Sequence, residues 1–237
     1  MFAESTRYYD RIYERKDYAG EAARLKELIA EHKRAPGNRL LELACGTGVH
    51  LSLLRDGFDC VGGDLAPEML RIAEERNPGV EFLELDIADF DIGREFDVIT
   101  CLFSSIGYVG TVERLRSSIA AMARHLAPGG VVFLEPWFRR DQYREDTAHM
   151  MAIDEPDLKL CRMNVSRVDG NLSILDLHHL IATPEEGTRH FVEHHELAMF
   201  EVADFADAAE AAGLDHVHLD QGLMDRGLHI LTSRAGS

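Results

Sequence analysis

The residues of this 237-residue chain best suited to chemistry lie where apolar runs end. Leu40 to Gly48 reads LLELACGTG. A strand closes on an acid, Glu42, and Gly46-Thr47-Gly48 then opens a helix. Glycine at such a turn adopts φ > 0 and lets a ligand approach the backbone closely. A dinucleotide fingerprint would continue GxGxxG, but here the chain continues GTGVHL, without the third glycine. A phosphate loop would need Gly-Lys-Ser/Thr, which is also absent. Asp64 ends the next run, sixteen residues beyond Gly48. An acid there can accept hydrogen bonds from both hydroxyls of a ribose. Asp86-Ile87 ends the third run, where an acid can accept from an adenine amino group and an apolar side chain can cover the ring.

The elements that must hold these residues are legible in the alternation of patterns. Strands are predicted at 39–44, 58–63, 80–85, 96–102 and 131–135. Helices are predicted at 49–55, 67–76 and 112–125, with an amphipathic helix over Tyr18 to His32 in front. Strands alternating with helices at this spacing build a parallel α/β sheet, whose ligands bind at the carboxyl ends of the strands. From Trp137 to about Ala152 the chain is charged and weakly patterned. Residues 158–168, 172–182 and 189–200 then read as extended, joined by turns at 169–171 and 184–187. A helix at 202–212, stopped by Gly213, and a hairpin of 216–220 with 228–233 close the chain.

Composition narrows the partners. The formal net charge is -17, which repels nucleic acid on average. A local arginine can still hold a small phosphate. The four cysteines, Cys45, Cys60, Cys101 and Cys161, show no CxxC spacing and read as free thiols of a reducing cytoplasm. Met1 to Asp10 lacks the apolar stretch of a signal peptide, and no run has the length of a membrane span. The expectation is a cytoplasmic protein with no membrane partner.

Together, Glu42-Leu-Ala-Cys-Gly-Thr-Gly48, Gly63-Asp64-Leu-Ala-Pro-Glu-Met69, Asp86-Ile87, Phe96-Asp97-Val98 and Leu126-Ala-Pro-Gly-Gly130 resemble the class I S-adenosylmethionine (SAM)-dependent methyltransferases. The resemblance implies a doubly wound, mostly parallel seven-stranded α/β sheet with an antiparallel last strand. It implies SAM as cofactor, S-adenosylhomocysteine as product and no metal. It puts Glu42, Ala44 and Gly46 on the methionine side. Asp64 and Met69 then flank the adenosine, Asp86 and Ile87 the adenine, and Leu102 and Ser104 the sulfonium, with Tyr18, Gly48 and Leu65 also at the cofactor. Extended to Leu102–Tyr108 (LFSSIGY), Glu135-Pro136-Trp137-Phe138, Thr188-Arg189-His190-Phe191 and Asp225-Arg226-Gly227-Leu228, with Tyr9-Asp10 and Lys16-Asp17-Tyr18, the sequence is similar to bacterial TDP-amino-sugar N,N-dimethyltransferases of antibiotic biosynthesis. That likeness implies one domain over 1–237, an N-terminal lid at 1–19 and an antiparallel β insertion at about 139–200.

An amine acceptor needs alignment more than base catalysis, because the sulfonium is already activated. Tyr108 either orients the amine and relays its proton or forms an aromatic lid; both readings stand. Tyr9 and Trp137 are candidate walls. Arg226 is the first candidate for the pyrophosphate, with Arg189 and His178 behind it. Of the histidines at 178, 179, 190, 194 and 195, His178 is favoured for receiving the amine proton. Each His-His pair on a strand puts one ring on each face, which disfavours a metal. Methylation of another small amine such as glycine or sarcosine, O-methylation of a sugar, and a catalytically silent partner subunit remain the alternatives. Sugars aminated at C3 or C4 are both open, and so is a homodimer.

Overall fold

The computed structural model describes residues 4–233; residues 1–3 of the expected lid and 234–237 of the expected domain lie outside the described residues. A short helix, α1 (Tyr9–Ile12), is followed by α2 (Tyr18–His32), whose first turn is capped by the Asp17 carboxylate accepting from the Gly20 N–H at 2.9 Å. The chain then alternates β1 (Arg39–Leu43), α3 (Val49–Leu54), β2 (Asp59–Asp64), α4 (Pro67–Arg76), β3 (Glu81–Glu84), β4 (Phe96–Cys101), α5 (Val112–Arg124) and β5 (Leu126–Leu134). Pro67 opens α4, where its missing N–H costs nothing. The Thr111 hydroxyl caps α5.

After β5 the chain leaves the sheet. It forms β6 (Ala148–Asp154), β7 (Lys159–Val165), β8 (Arg167–Asp169), β9 (Leu172–Thr183) and β10 (Gly187–Ala198), an antiparallel sheet in the order β10-β9-β7-β6 with β8 on β9. It returns through α6 (Val202–Ala211), started by a Glu201–Asp204 capping box, to β11 (Leu214–Leu219) and β12 (Leu228–Ser233). The main sheet has the order β11-β12-β5-β4-β1-β2-β3. Only β12 runs against its neighbours. The expected seven-stranded topology is thus present.

Period-two alternation divides the core between the two faces of this sheet. Leu41, Leu43, Ile99 and Cys101 pack against α5 and α6, while Leu40, Val98, Val131 and Phe133 pack against α2, α3 and α4. Gly62 and Gly63 make β2 thin enough for its neighbours: a Cβ on Gly62 would meet the Phe82 ring at 2.5 Å and the Leu51 methyl at 2.9 Å.

One strand departs from the expectation. Residues 148–154 form β6 inside the stretch read as weakly patterned. This edge strand buries little on either face, and Met150 is 70% exposed, so no alternation marks it. No described helix is long and apolar enough to cross a membrane.

The β11–β12 hairpin stacks three histidines. His216 and His229 are hydrogen-bonded ring to ring at 2.9 Å, and the His218 ring lies 4.6 Å from that of His229. His229 also stacks on Phe205 at 3.8 Å. Burial, reinforced by the two neighbouring imidazoles, drives its pKa down to about 2. A histidine is released to about 6.5 on unfolding. Below that pH the unfolded chain takes up a proton that folded His229 refuses, so stability falls as the solution is acidified. The urea midpoint is expected to drop between pH 7.5 and pH 5, and to drop less in His229→Phe. Equal pH dependence in both proteins would contradict this.

Candidate active site

The glycine loop is shaped by one carboxylate. Asp64, at the end of β2, accepts from the Gly46 N–H at 2.8 Å through one oxygen and from the Ala66 N–H at 2.9 Å through the other. This ties the end of β1 to the start of α4. Burial pushes the Asp64 pKa above the ordinary carboxylate value, against these N–H donors. The loop needs left-handed backbone at Ala44 (φ 52°), Gly46 (φ 54°) and Gly48 (φ 70°). A Cβ at Gly46 would meet nothing within 4 Å, so this face of the loop is open, whereas one at Gly48 would strike Asn77 at 2.7 Å and Ala73 at 3.0 Å. Asp10 of α1 clasps the loop from outside, accepting from the Thr47 hydroxyl at 2.7 Å and from Arg76, which also donates to the Thr47 carbonyl.

Two cavities meet beside this loop. The first, of about 800 Å³, is lined by Ala44, Gly46, Asp64, Leu65, Met69, Asp86 and Ile87. A small recess continues it past Tyr18, Glu42 and Leu102. Asp86 accepts from the Ala88 N–H at 2.8 Å and from Arg114 at 2.8 Å. The second cavity, of about 1190 Å³, lies between the two sheets and is walled by Trp137, Phe138, Arg162, His195 and Arg226. Tyr9, Ser105 and Tyr108 line both.

Of the residues expected to hold the cofactor, Gly48 and Ser104 line neither the first cavity nor its recess. Gly48 caps α3 from the far side of the loop, and its carbonyl accepts from Asn77. Ser104 is 1% exposed; its hydroxyl donates to the Pro136 carbonyl at 2.7 Å and accepts from Arg226 at 2.6 Å. These bonds pin a left-handed pair, Phe103 (φ 53°) and Ser104 (φ 63°), so the next residue, Ser105, faces the cavities instead. The buried Glu135 carboxylate supports the same turn by accepting from the Phe103 N–H at 2.6 Å.

Of the residues expected on the acceptor side, Tyr9, Tyr108, Trp137 and Arg226 share the second cavity. The Arg226 guanidinium lies 4.7 Å from the ring centres of both Trp137 and Phe138, stacked rather than solvated. The Trp137 N–H donates to Ser173 Oγ at 2.7 Å.

His178 and Arg189 lie elsewhere. His178 pairs with Val192 on the outer face of the second sheet, exposed, and stacks on His190. Arg189 lies at the distal end of β10, paired with Glu4 and Glu186. The ring that reaches the cavity is His195, 2% exposed, whose Nδ1 is 2.9 Å from the Tyr108 hydroxyl. Its Nε2 is 3.9 Å from Glu193, which accepts from both the backbone N–H and the hydroxyl of Ser5. Burial raises the Tyr108 pKa and keeps the phenol protonated. Arg162, which donates to the Tyr13 hydroxyl at 3.1 Å, was not singled out in sequence either. The signal for both was strand alternation: Leu175, Leu177, His179 and Ile181 form the more apolar set of β9, and His195 stands opposite Leu175. Among the described residues no group of three His, Cys, Asp or Glu side chains is arranged to hold a metal ion.

Residues 40–130 match the family model described as a methyltransferase domain. The chain is 35% identical over 226 residues, 94% of each protein, to the dTDP-3-amino-3,4,6-trideoxy-alpha-D-glucopyranose N,N-dimethyltransferase of Streptomyces venezuelae. It is 36% identical over 226 residues, 94% of this chain and 90% of the other, to the dTDP-4-amino-2,3,4,6-tetradeoxy-D-glucose N,N-dimethyltransferase of Saccharopolyspora spinosa. Among solved structures it is similar to SAM-bound CalS10, an amino pentose methyltransferase from Micromonospora echinaspora, with TM-score 0.86 and 33% identity over 99% of this chain and 98% of that one.

Proposed function

Because the chain belongs to the dTDP-amino-sugar N,N-dimethyltransferase family, we propose that it uses SAM to methylate the amino group of a dTDP-linked amino-deoxy sugar twice. The observation that carries this reading is the shared wall of Tyr9, Ser105 and Tyr108: it puts the cleft lined by Asp64, Asp86 and Ile87 against a chamber holding two arginines.

The residues fit SAM. The Asp64 oxygens each keep a lone pair beyond the loop contacts, for the ribose hydroxyls. Leu65, Met69 and Ile87 supply apolar cover for the adenine, and Asp86 an acceptor for its amino group. Glu42 has one buried oxygen, Oε2, without a hydrogen-bond partner among the described residues, and it borders the recess that continues the cleft. That oxygen suits the ammonium of the methionine end. When bound, SAM supplies an activated methyl group on a cationic sulfur.

The chain's own task is alignment. With its proton donated to His195 Nδ1, the Tyr108 oxygen retains lone pairs that accept from an amine N–H, turning the nitrogen lone pair toward the first cavity. No strong base is required, because a neutral amine is already nucleophilic and water takes the released proton. Arg226 and Arg162, stacked on aromatic rings, present cationic forks for the pyrophosphate. We assign the N-terminal segment up to residue 19 the role of lid. Its contacts across both cavities support this: Asp10 to the glycine loop, Tyr9 in both walls, and Ser5 and Arg7 on β10 and its preceding turn. The four free cysteines support a cytoplasmic setting.

Incubated with SAM and a dTDP-3-amino-3,6-dideoxyhexose, the protein is expected to yield a product two methyls heavier by mass spectrometry. No mass gain, with methylation of glycine or of a hydroxyl analogue instead, would refute the acceptor. Asp64→Ala is expected to weaken SAM binding at least about tenfold, the loss of charged hydrogen bonds; near-normal affinity in calorimetry would refute the ribose contact. Arg226→Ala is expected to raise KM for the dTDP-sugar at least about tenfold while KM for SAM changes little. An unchanged KM for the sugar nucleotide would remove Arg226 from the pyrophosphate site.

A further inference from the structure

Glu42 and His50 line the recess, and Lys16 and Glu21 continue from them as a chain of four ionisable side chains. Lys16 pairs with Glu21, Glu21 Oε2 lies 2.9 Å from His50 Nε2, and Glu42 Oε1 lies 3.4 Å from His50 Nδ1. All four side chains are no more than 7% exposed, so solvent screens these charges weakly. A neutral imidazole has one N–H donor and one lone pair. Both ring nitrogens of His50 face carboxylate oxygens, which only accept. A neutral ring would set its lone pair against one of them; the imidazolium donates to both. Burial opposes that charge, but the bonds to Glu21 and Glu42 outweigh it and hold the ring at about 9. The groups facing His50 are Lys16, Tyr18 and Glu21 from α2 and the turn before it, and Glu42 from β1. The Tyr18 ring meets the imidazole edge-on at 5.0 Å and carries the Lys16 ammonium over its own face.

Charge counting gives this arrangement a function. Two anions and two cations are buried in alternation, and only Glu42 keeps an oxygen, Oε2, with no partner among the described residues. Burying a carboxylate is costly unless a cation pairs with it, and Glu42 is 2% exposed. We propose that His50 is the positioning residue of the amino-acid end of the cofactor site: as an imidazolium bridging Glu21 and Glu42, it orients Glu42 so that Oε2 receives the ligand's ammonium. His50 thereby makes the site discriminate ligands that carry an amino-acid tail from bare thionucleosides. The inference rests on the reading that this pocket takes SAM.

The test compares two ligands without a sulfonium charge by calorimetry at pH 7: S-adenosylhomocysteine, which has the tail, and 5′-methylthioadenosine, which lacks it. In His50→Gln the affinity for S-adenosylhomocysteine is expected to fall about tenfold and that for methylthioadenosine less than about twofold, the latter showing that the fold and nucleoside site persist. KM for SAM should rise more than kcat falls. Glu42→Gln should lose a similar factor, and the double variant should add less than about twofold to it. Equal loss on both ligands, no loss on either, or additive losses in the double variant would overturn the role of His50. A wild-type protein that binds S-adenosylhomocysteine no tighter than methylthioadenosine would instead overturn the underlying reading of the pocket.

Discussion

The carboxylate of Asp64 is the contact on which the site is built. It joins the loop after β1 to the start of α4 through two backbone N–H donors, and it does so at the sheet edge where the parallel strands end. Opening the first cavity requires left-handed backbone at Ala44, Gly46 and Gly48. At Ala44, which carries a Cβ, such backbone persists only where surrounding bonds over-determine it. Asp64 from below, Asp10 and Arg76 from the lid side, and Asn77 at the Gly48 carbonyl supply those bonds. A second left-handed pair, Phe103 and Ser104, is fixed by Glu135, Pro136 and Arg226. Three of the four described non-glycine residues with positive φ thus sit in two loops that border the wall between the cavities; the fourth, Asp146, precedes β6.

The second sheet makes this edge a two-sided site. Its inner face supplies Arg162 and His195, and its junction with β5 supplies Trp137 and Phe138. Arg226 arrives from the β11–β12 connection and touches both regions: its guanidinium stacks on Trp137 and donates to Ser104. The arginine proposed to bind the acceptor's phosphates is therefore mechanically joined to the turn that flanks the first cavity. The deeper end of the same region is governed by charge, where Lys16, Glu21, His50 and Glu42 alternate in sign and leave one carboxylate oxygen to the pocket.

The sheet was legible because its signals are local. The apolar runs, Pro67, Gly213 and the glycine loop each report on their own neighbourhood, and the observed strands and helices follow them closely. The positions of Asp64, Asp86 and Arg226 were legible for the same reason: they sit at strand ends or in turns whose place in the fold is fixed by pattern. What failed needed register or long-range contacts. His178 on β9 and His195 on β10 occupy opposite faces of the second sheet, and the more apolar set of β9 at 175, 177, 179 and 181 carried that information. Arg189 shares the inner face but sits at the distal end, a distance no local pattern encodes. Ser104 and Ser105 exchange places because a left-handed turn rotates one of them into the core. The edge strand β6 buries too little to show a period, and the four-charge chain joins residues 16, 21, 42 and 50 only once α2 lies against α3.

The most direct test of the account is a crystal structure of the protein with S-adenosylhomocysteine and a dTDP-amino sugar bound together. The account predicts the nucleoside of the first ligand on Asp64 in the first cavity and the sugar in the second, with its pyrophosphate at Arg226. The amine should lie beside Tyr108, at about 3–3.5 Å from the position a methyl group on the sulfur would occupy. A dTDP-sugar seated in the first cavity, or an amine turned away from the sulfur across the Tyr9–Ser105–Tyr108 wall, would contradict it.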